Sequence, residues 1–103
     1  MDKLLHAIAS PLRRQLMDIV RNQPGCNVNE ASKSFDVSRI AVMKHLAVLE
    51  AANLIISEKQ GRSRKLYFNP VPIQLIYERW TDEYSALWAG RLTDLKRTIE
   101  DKN

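Results

Sequence analysis

Apolar positions along this chain recur at helical spacing in several short runs, switch to alternation, and return to helical spacing in one long run. Leu4, Leu5 and Ile8 share one side of a short helix predicted over Asp2 to Ala9. Ser10-Pro11 marks a fresh start: a capping hydroxyl, then proline at the first helical position, where its missing N–H costs nothing. Leu12, Leu16, Ile19 and Val20 carry that second helix to about Asn22, and Pro24-Gly25 ends it. Asn27-Val28-Asn29-Glu30 has the form of a capping box and opens a third helix predicted to reach about Phe35. Asp36-Val37 is the turn before the next start.

That next start is Ser38, again a good N-cap. Val42, Leu46 and Leu49 form one buried stripe behind it, while Arg39, Ile40, Met43, Lys44 and Ala47 fall on the opposite face. Asn53 stands where helices commonly turn off through a left-handed residue. Two short helices joined by a tight turn, the second basic on its outer face, make a helix-turn-helix. Such a helix suits the DNA major groove, which admits one helix and is read from its N-terminal turns. The plainer alternative is a surface helix with a solvated basic face. Arg13 and Arg14 likewise read either as solvated charge or as support for a nearby phosphate backbone.

After Leu54 the pattern alternates. Ile55 to Lys59 and Arg64 to Phe68 are predicted strands, with Gln60-Gly61 supplying the turn. Leu66 and Phe68 belong to one face, Lys65 and Tyr67 to the other. The tip, KQGRSRK from Lys59 to Lys65, is cationic beyond what solvation asks. Arginine at such a tip can enter a narrow minor groove, where the potential is most negative. Asn69-Pro70-Val71-Pro72 stops the second strand, and a long helix is predicted from Ile73 to about Ile99. Its apolar stripe includes Ile73, Ile76, Tyr77, Trp80, Tyr84, Leu87, Trp88, Leu92, Leu95 and Ile99 at alternating spacings of three and four. It serves either as a core helix lying across the domain or as a seam between two copies, with Trp80, Tyr84 and Trp88 as aromatic anchors.

The length of 103 residues fits one domain, residues 1–103, mainly α with a β-hairpin wing and with 72–99 as a dimerisation helix. The charge distribution sharpens the partner. Lys33 to Lys65 holds seven Lys/Arg against three Asp/Glu, which accounts for the whole net charge of +4. The basic excess therefore lies around the fourth helix and the hairpin, as an anionic partner requires. A single cysteine, Cys26, rules out an internal disulfide framework and a multi-cysteine metal site. It reads as a small apolar filler or as a thiol pairing between subunits. No apolar run reaches membrane-spanning length and no signal-peptide pattern opens the chain, so a soluble cytoplasmic protein is expected. No nucleophile–base set, catalytic carboxylate pair or phosphate-cradling glycine loop is visible, so catalytic residues, metal and cofactor are all expected to be none.

Over nearly its whole length the chain resembles the ArsR family of small bacterial transcriptional repressors. The resemblance rests on DKLLHAIASPLRRQLMDIV (Asp2 to Val20), VSRIAVMKHLAVLEAANLI (Val37 to Ile55) with its His45-Leu46 dipeptide, and GRSRKLYFNP (Gly61 to Pro70). The spacing Trp80, Tyr84, Trp88, Leu92 is similar to one subgroup of that family. It implies a winged helix-turn-helix homodimer that binds double-stranded DNA at an inverted repeat and blocks transcription. It implies base reading by Arg39, Ile40, Met43 and Lys44, with His45 near a phosphate; His45 also reads as a partly buried, hydrogen-bonded histidine. Ser38 and the wing residues Lys59, Arg62, Arg64 and Lys65 complete the expected DNA-binding set. In that division arginine and lysine bond guanine while Ile40 and Met43 pack on thymine methyl groups. The first and last helices are implied to form the dimer interface, through Leu4, Leu5, Ile76, Trp80, Tyr84, Leu87, Trp88, Leu92 and Leu95. The chain departs from the family at its metal sites: Cys26 is alone and the last helix has no histidine. Met43 stands where a small hydroxyl residue is common, and Asn53 where glycine is common. A metal response is therefore not expected, while an inducer and the operator sequence are left open. A second function class is a winged-helix interaction module docking a partner through its aromatic last helix; its affinity would not fall steeply with salt as a DNA reader's would.

Overall fold

A computed structural model describes the backbone of residues 1–81 and 83–101, and the side chains of residues 1–81 and 88–100. The elements run α1 (Asp2–Ile8), α2 (Pro11–Asn22), α3 (Val28–Ser32), α4 (Arg39–Ala51), β1 (Ile55–Gln60), β2 (Ser63–Phe68), α5 (Val71–Trp80) and α6 (Glu83–Asp101). They fall into two compact units, Met1–Pro72 and Ile73–Asn103.

In the first unit the starts of α2, α3 and α4 are capped by the side chains that mark them in the sequence. Ser10 Oγ accepts from Arg13 N at 3.3 Å and Ser38 Oγ accepts from Ala41 N at 3.2 Å. At α3 the capping box closes both ways: Asn27 Oδ1 accepts from Glu30 N at 2.8 Å, and Asn27 N donates to Glu30 Oε1 at 3.4 Å. That helix ends at Ser32, short of the expected Phe35. Lys33 N and Phe35 N donate three residues back, to Glu30 O and Ser32 O, and this tighter winding closes the turn early. At the end of α4, Asn53 takes a φ of 61°. Leu54 N then reaches Leu49 O at 3.0 Å and Asn53 N reaches Glu50 O at 2.9 Å, the paired bonds of a Schellman stop.

The core gathers where those helices meet the base of the hairpin. Leu16, Val20, Val42, Leu46, Leu49, Leu54, Ile55 and Leu66 are buried. Each such side chain contributes about 1.5–3 kcal/mol when fully removed from water. α4 packs on α1, α2, α3 and β1, so its stripe of Val42, Leu46 and Leu49 is enclosed and its other face is left outward. β1 and β2 pair antiparallel from Ile55↔Phe68 out to Gln60↔Ser63. The two central turn residues are therefore Gly61 and Arg62, one position beyond the expected Gln60-Gly61. Gly61 supplies the positive φ, 60°, that the first central position of such a turn needs. An isolated bridge from Cys26 braces β2: Gly25 N donates to Leu66 O and Leu66 N to Cys26 O, both at 2.8 Å. Gly25 sits at φ 83° beneath the Tyr67 ring, so a side chain there would be strained.

The expected single helix from Ile73 is two helices. Thr81 N turns back to Glu78 O at 3.4 Å, and its hydroxyl donates to Tyr77 O. The Thr81 amide thus bonds three residues back and not four, and α5 ends at Trp80. On α6, Trp88, Leu92, Leu95 and Ile99 are all exposed, at the spacing of one stripe, with the Arg91 guanidinium 5.3 Å from the Trp88 ring centre. No helix among the described residues is long and apolar enough to cross a membrane.

Candidate nucleic-acid interface

The outward face of α4 begins at its cap. Ser38 spends its oxygen on the helix start, so its part in an interface is to present the first turn. Ile40 is 68% exposed and Met43 46%, with Lys44 and Ala47 beside them in solvent. Two uncharged apolar side chains held out among cations are poorly explained by solubility alone, and shape a surface that can meet both base edges and methyl groups. Arg39, the first helical residue, is tied sideways: its Nε donates to Asn29 Oδ1 of α3 at 2.8 Å, and Nη1 lies 3.7 Å from Met43 Sδ.

The wing supplies the second half of the site. Lys59, Arg62, Arg64 and Lys65 are exposed. By the alternation of a strand, Arg64 shares a face with the buried Leu66, and Lys65 lies on the other, opposite Glu58. Arg62 and Arg64 accordingly line one open cavity of about 200 Å³ together with Arg39, Met43 and the start of α3, from Asn27 to Asn29. Among the described residues no carboxylate lies within ion-pairing distance of any of these three arginines. Lys59 and Lys65 stand outside the cavity. The asparagines were missed in the sequence, where they appear only as part of a capping box. The available signal was that the box uses Asn27 and Glu30, leaving Asn29 without local work.

Two expectations are revised. Arg13 is half-buried and Arg14 exposed, and both turn their guanidinium groups back onto the end of α1. Arg13 Nε donates to Ala7 O at 2.7 Å and its Nη2 to His6 O at 2.9 Å, while Arg14 Nη1 donates to Ile8 O at 2.7 Å. His45 is half-buried, with Nδ1 3.4 Å from Arg13 Nη1 and its ring edging a small apolar recess with Leu12, Phe35 and Val37. Of its two readings, the partly buried histidine is the one the geometry carries.

For the expected dimer surface, Leu4 is corrected too: at 8% exposure it belongs to the core of its own unit, and Leu5, 40% exposed, is what α1 offers outward. Ile76 is half-buried, and Trp80, Trp88, Leu92 and Leu95 are exposed. The side chains of Tyr84 and Leu87 lie outside the described residues. Cys26 is buried, and its thiol is pushed up from its ordinary value by desolvation first and by the nearby Glu30 charge second. No group of three or more His, Cys, Asp and Glu side chains among the described residues could hold a metal ion.

Residues 10–57, which span α2 to the start of β1, match the family model described as "Bacterial regulatory protein, arsR family". The chain is 30% identical over 87 residues to the HTH-type transcriptional regulator YuzN of Bacillus subtilis, covering 79% of this chain and 95% of that protein. It is 26% identical to the HTH-type transcriptional regulator Rv2034 of Mycobacterium tuberculosis, covering 98% and 90%. The crystal structure of an ArsR family transcriptional regulator superposes with a TM-score of 0.71 at 32% identity, covering 85% of this chain and 89% of that one. An ArsR-like regulator from Rhodococcus sp. RHA1 shares the fold, with a TM-score of 0.70 at 23% identity over 94% and 90%.

Proposed function

We propose, from the premise that this chain belongs to the arsR family of bacterial regulatory proteins, that it is a cytoplasmic homodimeric repressor acting at an inverted-repeat operator. Family membership makes it a DNA-binding transcriptional regulator; the repressor role, the dimer and the operator symmetry are this reading's own additions. The observation that carries it is the outward face of α4, with Ile40, Met43 and Lys44 in solvent beside a wing bearing Arg62 and Arg64. Two copies related by a two-fold axis would set two such helices into successive major grooves, so the bound site would be a palindrome. The dimer is supported by the exposed stripe Trp88, Leu92, Leu95 and Ile99 on α6, since a continuous apolar face on a small domain marks an association surface.

Selection of bound duplexes from a random pool tests the reading, followed by titration of the recovered duplex at several salt concentrations. The expected result is a symmetric site whose log affinity falls linearly with log salt, by roughly 0.9 per phosphate neutralised. No enrichment, or a site without two-fold symmetry, would count against it. Sedimentation of the Trp80→Ala/Trp88→Ala double variant tests the seam: a folded dimer persisting at micromolar concentration would place the interface elsewhere.

A further inference from the structure

Three cations of one sign meet around the cavity between α4 and the wing. Arg39 comes from the first turn of α4, Arg62 from the hairpin turn and Arg64 from β2, so the fold and not local sequence brings them together. Like charges gathered around one void repel, and an anion placed there relieves all of them at once. The uncharged lining fits the same guest. Asn27 Oδ1 is occupied by Glu30 N and Asn29 Oδ1 by Arg39 Nε, so each asparagine is left with its Nδ2 donors to offer. At about 200 Å³ the void has room for several waters or for a phosphate group that displaces them. Guanidinium forks match phosphate oxygens two at a time.

We propose that this cavity receives one phosphodiester of the bound duplex, gripped by Arg39 from α4 and by Arg62 and Arg64 from the wing. Asn29 is a positioning residue that holds the Arg39 guanidinium in the cavity. The proposal rests on the DNA-binding reading and narrows it: Arg39 serves the backbone, not a guanine edge as the sequence pattern led one to expect. Helix and wing then share an anchor point, and base reading passes to Ile40, Met43 and Lys44.

The test uses the pool-selected duplex carrying one neutral methylphosphonate at a time, titrated with the unaltered protein and with Arg39→Ala, Arg62→Ala, Arg64→Ala and Asn29→Ala. One position per half-site should weaken the unaltered protein by about tenfold or more, the loss expected for one charge-assisted contact. At that same position each arginine variant, already weakened, should lose less than the unaltered protein does, because two of the three cations remain. Asn29→Ala should also lose sensitivity there while its melting temperature is unchanged. Sensitivity mapping to different phosphates for the three arginines would overturn the proposal. So would an Arg39→Ala variant that binds selected and scrambled duplexes equally yet keeps its phosphate sensitivity. Titration with sodium phosphate at matched ionic strength separates the two sources of this anion. Tight binding of inorganic phosphate that leaves duplex affinity untouched would assign the cavity to a free anion and overturn the duplex assignment. Failure of the unaltered protein to bind any duplex would remove the DNA reading itself, whereas binding without a shared phosphate removes this inference alone.

Discussion

Arg13→Met isolates how α1 is fastened to the body of the first unit. The side chain donates to Ala7 O at 2.7 Å and to His6 O at 2.9 Å, carbonyls at the end of a seven-residue helix, the second of which also accepts from Ala9 N. Hydrogen bonds to a charged group contribute about 1.5–3 kcal/mol each. Water can reach these carbonyls once the guanidinium is gone, so roughly half of that sum is recovered, leaving a loss of about 2 kcal/mol. The Nη1 contact to His45 Nδ1, at 3.4 Å, is long and adds little. Methionine keeps most of the apolar stem, so the change reports the fork and not the packing. At 4–8 °C per kcal/mol for a domain of this size, melting should fall by roughly 10 °C. Urea unfolding followed by circular dichroism at one fixed protein concentration should show a lower midpoint with an unchanged slope. Arg13→Lys should recover little, because one ammonium cannot serve two carbonyls in fork geometry. A loss below about 0.5 kcal/mol, the range of ordinary surface changes, would refute the reasoning, as would full rescue by lysine.

Three further outcomes are expected. The Cys26 thiol titrates above its ordinary 9.0, so the folded state holds its proton longer than the unfolded chain does; stability should be fully present below that value and fall as pH rises through the folded pKa, and Cys26→Ala should show a shallower alkaline decline in urea titrations. Asn53, at φ 61°, should accept glycine with unchanged or slightly raised stability, whereas Asn53→Val should cost about 1–2 kcal/mol by thermal unfolding; equal stabilities would show that the left-handed cap is not maintained. Stoichiometric zinc should change duplex affinity less than tenfold in fluorescence anisotropy, because the chain has one cysteine and zinc needs three or four suitable ligands; a larger change would reveal a site built from carboxylates and histidine.

What was legible in the sequence was local. Ser10, Asn27 with Glu30, and Ser38 bond within three residues of themselves, so their spacing alone predicts the starts of α2, α3 and α4. The stop at Asn53 and the buried stripe Val42, Leu46, Leu49 follow from the same short-range geometry. The hairpin was visible as alternation, but its turn slipped by one because Gln60 is compatible with either the last strand position or the turn. What was not legible depends on residues distant in sequence. Arg13 meets His45 from 32 positions away, and the charge pattern of the segment cannot show that its fork will be consumed by carbonyls. Arg39 and Arg64 share a cavity only because β2 and the start of α4 both meet α3. The end of α5 at Trp80 is not registered by an apolar periodicity that runs smoothly through it.

The solvent-facing pair Ile40 and Met43 has a thermodynamic consequence for the proposed complex. Cationic contacts weaken as salt is raised, but the dehydration of an isoleucine and a methionine does not. Association through this face should therefore carry a negative heat-capacity change, and its enthalpy should grow more favourable on warming. Calorimetry at several temperatures would show that slope, and Ile40→Ser should flatten it while leaving the salt dependence intact. A regulator built this way keeps part of its grip in concentrated electrolyte, where a purely ionic one would have let go.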